Sequence, residues 1–132
     1  MENNNWTNLN NNKIKPKEFF SELTIEFPDL KTEIENQDYK MVHFRMEFFS
    51  DYNILQIKTK NITELKRCFD FQETRIEKLN SDLINALNVS YCESLLLGEC
   101  AKEMTEIIKL MPPKLKKIYV EYEEYYNGLR KS

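Results

Sequence analysis

The chain has 132 residues, the size of a single domain that buries about two thirds of its unfolded surface without a disulfide or metal staple. Charged residues make up 31% of it, and only two glycines and four prolines are present, a scarcity of turn formers that excludes an architecture of many short strands. Nineteen lysines and arginines stand against 22 aspartates and glutamates, a net charge of -3 that excludes a global attraction to nucleic acid or to an anionic membrane.

Residues 1–12, MENNNWTNLNNN, form a polar tract that cannot repay the entropy of ordering, so a disordered Asn-rich tail is expected there, with Trp6 read as a mobile tail residue and docking on the domain or on a partner as its alternative. A single helical domain is expected over residues 13–132. Pro16 suits the first turn of a helix whose apolar edge is Phe19, Phe20 and Leu23. Pro28 restarts the chain in a short helix through Leu30 and Ile34, and Asp38 stands ready to cap the next.

The stretch from Asp38 to Lys58 is the expected centre of the fold. At about 100° per residue its apolar side chains, Met41, Val42, Phe44, Met46, Phe48, Phe49, Tyr52, Leu55 and Ile57, sweep roughly 220°. His43, Glu47, Ser50 and Asp51 make a narrow arc assigned to water, and Arg45 projects between Tyr52 and Phe49. A capping box at Asn61 and Glu64 starts the following helix, with Ile62, Leu65, Cys68, Phe69, Ile76 and Leu79 on one face and Phe71 off it. Asn80-Ser81-Asp82 ends that helix and caps a second buried one, Asp82 to Leu97, which carries Leu83, Leu87, Tyr91 and Leu95. Gly98 interrupts the pattern, a stripe from Cys100 to Met111 follows, and Pro112-Pro113 open a final helix that should stop near Gly128. The resulting expectation is an all-α, compact bundle of six or seven helices, arranged as antiparallel hairpins around two adjacent central helices.

Reactive side chains are sparse. The single histidine, His43, stands four residues from Glu47, a spacing that serves a base with its orienting carboxylate or two metal ligands. No third ligand, HExxH pattern, glycine-rich phosphate loop or nucleophile elbow accompanies the pair, so catalysis is disfavoured and no cofactor or metal is expected. Arg45 in an apolar arc requires a partner. Glu93 on the second central helix is the candidate for a buried ion pair; the alternatives are a cleft in which Arg45 receives an anion, or a guanidinium that snorkels to water. The last helix mixes tyrosines with carboxylates, and Tyr122, Glu123 and Tyr126 are the candidate partner-binding residues, aromatic anchors beside acids that would complement a basic protein. Lys114, Lys116 and Lys117 lie beside these acids, which argues against nucleic-acid binding.

The three cysteines, Cys68, Cys92 and Cys100, lack metal-ligand spacing and read as reduced core thiols. The first thirty residues carry no secretory signature and no apolar run spans a membrane, so a soluble cytoplasmic protein is expected, and the Asn-x-Ser/Thr triplets at Asn5, Asn61 and Asn88 carry no glycan.

The stretches FPDLKTEIE, YKMVHFRMEFFS, ITELKRCFDF, NALNVSYCESL and MPPKLKKIY, in this order over about residues 25 to 120, resemble a family of small uncharacterised bacterial proteins classed as a domain of unknown function. That family is similar in style to the immunity proteins of polymorphic toxin systems. The resemblance implies an all-helical cytosolic protein that neutralises a toxin by binding it, and it transfers no catalytic residue. The function expected is therefore a protein-binding module, with a small-ligand-binding or regulatory helical protein as the alternative and an enzyme built on His43 and Glu47 as the remoter one.

Overall fold

The computed structural model describes residues 13–38 and 40–131. The expected tail and Trp6 lie outside them. Seven helical rods follow one another, and no strand occurs among the described residues. Helix α1 is Pro16–Glu26; a 3-10 turn, Pro28–Leu30, leads into α2, Lys31–Glu35. Helix α3 is Val42–Lys58 and α4 is Ile62–Glu73. After a 3-10 turn at Ile76–Lys78 comes α5, in which Ser81–Ala86 and Glu93–Leu97 are joined by a π-helical segment, Leu87–Cys92. Helix α6 combines Ala101–Glu103, Met104–Ile107 and Ile108–Leu110, and α7 is Pro113–Lys131.

Local chemistry accounts for most boundaries. Pro16 and Pro28 occupy first-turn positions where a missing N–H costs nothing. Asn61 Oδ1 accepts from the Glu64 N–H at 3.2 Å and Asn80 Oδ1 from the Leu83 N–H at 3.0 Å, so both expected caps are made. At Gly98, whose N–H donates to Ser94 O at 2.9 Å, an added Cβ would stand 2.3 Å from that same carbonyl oxygen, and only glycine lets the chain leave α5 there. Glu73, on α4, accepts from the N–H groups of Lys114 and Leu115 at 3.0 and 2.8 Å, capping α7 across the fold.

Two boundaries differ from the sequence pattern. Helix α3 begins at Val42 because Asp38 accepts from the Lys40 N–H at 2.9 Å and folds into a turn of its own, instead of capping the helix. Helix α7 runs on through Gly128, where no neighbour opposes the helical path.

The core joins α1, α3, α4 and α5. Phe49 lies at its middle, 5.4 Å from Phe27, 5.9 Å from Phe71 and stacked on Tyr91 at 5.7 Å. This pairing makes α3 and α5 neighbours, as expected. Phe71, assigned to the surface by its wheel position, is 4% exposed, because α1 brings Phe19 within 5.3 Å and Arg75 lays its guanidinium 3.7 Å from the ring centroid. Cys68, Cys92 and Cys100 are buried free thiols, and burial pushes Cys92 up to about 12. Ile14, ahead of α1, exchanges backbone hydrogen bonds with Lys78 and Asn80 and fastens the start of the domain to the α4–α5 connection. No helix among the described residues is long and apolar enough to cross a membrane.

The orientation of α3 overturns its pattern. Ser50, Asn53 and Gln56 are buried, whereas Met41, Phe44 and Leu55 are exposed. The buried polar groups cost little because they turn back on their own helix: Ser50 Oγ donates to Glu47 O, Asn53 Nδ2 to Phe49 O and Gln56 Nε2 to Tyr52 O.

Candidate functional site

Helices α5 and α7 pack side by side and leave a groove of about 330 Å³, lined by Asn85, Asn88, Val89, Glu121, Tyr122 and Tyr125. One wall belongs to the π segment, where the widened turn carries Val89 outward, 42% exposed. The other wall is aromatic. Tyr125 is 62% exposed, its ring centroid 6.1 Å from that of Tyr122. The Tyr122 hydroxyl donates to Glu93 Oε2 at 2.9 Å, and burial, with that hydrogen bond, pushes the phenol up to about 12. Tyr122 is therefore a neutral donor, fixed across the α5–α7 seam, with its ring left to the groove.

Behind the groove, Asn85 reaches back to α3. Its Nδ2 lies 3.4 Å from His43 Nε2, and His43 Nδ1 stands 2.6 Å from Ser90 Oγ. Both ring nitrogens are thus engaged within the fold, one by the Ser90 hydroxyl and the other by the Asn85 amide. The contact latches the π segment to α3. His43 thus turns to Ser90 and Asn85, while the side chain of Glu47, its partner in the remoter enzymatic reading, is exposed, and no metal-binding group of three His, Cys, Asp or Glu side chains occurs among the described residues.

Arg45 does not meet Glu93. Its Nε and Nη2 both donate to the Gln37 carbonyl, at 3.1 and 2.5 Å, and its guanidinium lies 5.6 Å from the Phe20 ring, while Glu93 serves Tyr122. The reason is angular: Arg45 faces α1 and the α2–α3 connection, whereas α5 packs on the Phe49–Asn53 side. Arg45 is half-buried and lines a cleft of about 210 Å³ with Lys17, Phe20 and Glu35; burial lowers its pKa, against the fields of Asp38 and Glu35.

A family model matches residues 20–127. The chain belongs to the DUF7674 family, a domain of unknown function. No curated protein and no solved structure matches it. On this DUF7674 domain the three partner-binding candidates divide. Tyr122 lines the groove, Tyr126 is half-buried one turn further on, and Glu123 opens instead on a second hollow of about 250 Å³ with Leu96, Met104 and Tyr119. Asn85, Asn88 and Val89 escaped the sequence reading. Their signal was present in the run Asn85-Ala86-Leu87-Asn88-Val89-Ser90, in which four of six residues are poor helix formers, at the place where the DUF7674 helix α5 widens.

Proposed function

We propose that the chain is a protein-binding module, an immunity protein of the bacterial cytoplasm that neutralises a toxin by docking it in the groove between α5 and α7. The observation that carries this reading is the exposure of Val89 and Tyr125 on facing walls of one groove, with Tyr122 already immobilised by Glu93. Rigid, half-exposed aromatic rings give contact area at little entropic cost, and Glu121 at the groove supplies a charge for a basic partner. The similarity in style between the uncharacterised family that its helical stretches resemble and the immunity proteins of toxin systems supports the same reading.

The test is co-expression with a toxin domain encoded in the neighbouring reading frame, followed by pull-down and measurement of Kd. Replacing Tyr122 and Tyr125 together by alanine should weaken the complex at least about tenfold, mainly through faster dissociation. Undiminished affinity in that variant would remove the groove from the interface. Metal-dependent turnover abolished by His43→Ala would replace the binding reading by an enzymatic one.

A further inference from the structure

Two buried side-chain atoms, Gln72 Oε1 and the Tyr119 hydroxyl, find no hydrogen-bond partner among the described residues. Gln72 lies in the core against Met46, its amide nitrogen 3.6 Å from the sulfur. Tyr119, 2% exposed on α7, instead lines the hollow of about 250 Å³ at which Glu123 stands. Buried hydroxyls are almost always answered by a partner, so one left open on the wall of a hollow points to a ligand.

The lining divides by chemistry. Leu96 of α5 with Ala101, Met104 and Ile108 of α6 gives it apolar walls, whereas Thr105, Tyr119 and Glu123 contribute oxygens, and no cationic side chain lines it. Tyr119 and Glu123 are four residues apart, on one face of α7. Burial, then the field of Glu123, raises the Tyr119 phenol, which stays neutral. Lys102 and Lys109 also belong to α6, but Lys109 pairs with Glu106 at 3.2 Å, and no ion pair joins either lysine to Glu123 among the described residues. An anion would be repelled by Glu123, and a neutral head would leave its charge unanswered. A carboxylate that only accepts, beside hydroxyl oxygens that also accept, is met by a cation with several N–H donors, and the apolar walls are met by an aliphatic chain.

We infer that the hollow between α5, α6 and α7 binds a primary ammonium on a short aliphatic chain, with the chain between Leu96, Met104 and Ile108 and the ammonium donating to Glu123 and to the Tyr119 hydroxyl oxygen. A free alkylamine and the lysine side chain of another protein present this same chemistry. At about 250 Å³ the hollow is smaller than the roughly 300–1,000 Å³ of pockets that enclose drug-sized molecules, which fits a single short chain. The site shares no lining residue with the groove between α5 and α7, so it stands or falls apart from it.

The probe is pentylamine, with pentanol and pentanoate as controls, titrated against the full chain while the methyl resonance of Met104 is followed by NMR. Pentylamine should shift that methyl saturably, pentanol should bind at least about tenfold more weakly, and pentanoate should not bind. Glu123→Gln should weaken pentylamine binding at least about tenfold and flatten its salt dependence. Tyr119→Phe should weaken it several-fold without lowering the melting temperature, because the hydroxyl it removes has no partner in the fold to lose. Tyr125→Ala, in the groove, should leave it unchanged. A lysine whose backbone is blocked as acetyl and methylamide separates the two sources: binding as tight as that of pentylamine identifies a lysine side chain, and weaker binding identifies a free amine. Absence of saturable binding, equal binding of pentylamine and pentanol, or indifference to Glu123→Gln would overturn the inference. So would a Tyr119→Phe variant that binds pentylamine normally but melts lower, which would return the hydroxyl to a structural role.

Discussion

Asn53 and Tyr91 show how a polar pair is afforded at the centre of an aromatic core. The Tyr91 hydroxyl donates to Asn53 Oδ1 at 2.7 Å, and the Asn53 amide donates to Phe49 O, so the pair is satisfied without water. Tyr91→Phe would leave that Oδ1 buried and unpartnered and should cost about 2 kcal/mol in urea denaturation, whereas Tyr91→Phe with Asn53→Leu should recover much of the loss. A second residue-scale prediction concerns acid. The Tyr52 hydroxyl, 2.5 Å from Glu64 Oε2, holds that carboxyl below its ordinary value, against burial and with help from Arg67. A depressed folded pKa stabilises the fold above the unfolded carboxylate value of about 4.3 and loses its effect as pH falls through the folded value. Tyr52→Phe should therefore lower stability at pH 7 and make less difference at pH 3, as read by denaturation at the two pH values. At this scale the sequence was legible where a side chain answers its own backbone nearby, as Asn61 and Asn80 do. It was silent where the partner is distant: nothing in the chain marks the Gln37 carbonyl as the acceptor for Arg45, or Ser90 as the partner of His43.

Among the elements, prolines and caps made the order of helices readable, and Gly98 made the end of α5 readable. Gly98→Ala should cost about 2 kcal/mol, because the atom it meets is a backbone oxygen of the helix it terminates, and that oxygen cannot move without unwinding the last turn. Thermal unfolding checks this directly. The extents of buried faces were harder to read. A hydrophobic wheel presumes that polar residues seek water, but Ser50, Asn53 and Gln56 satisfy themselves on α3 carbonyls and so lose their value as markers of the outside. Phe71 failed as a surface residue for the complementary reason. Its burial is made by α1 and by Arg75, whose Nε is in turn held by Glu22 at 2.8 Å, and no feature of α4 records these.

On the scale of the whole molecule, the helical class and the α3–α5 core follow from periodicity and the scarcity of turn formers, while the groove depends on a departure from regular helix that periodicity cannot express. That departure has a consequence of its own. A π turn, closed from i to i+5, absorbs one residue more than an α turn while the helix on either side keeps its facing. Excising one residue at Val89 would let the segment relax to ordinary winding with Leu87 and Tyr91 still against α3 and Glu93 still beside Tyr122, and with only the outward bulge gone. In α5, then, the length of the chain, more than its chemistry, separates what folds from what is displayed: a single-codon deletion would remove Val89 from the wall of the groove without changing any residue of the core.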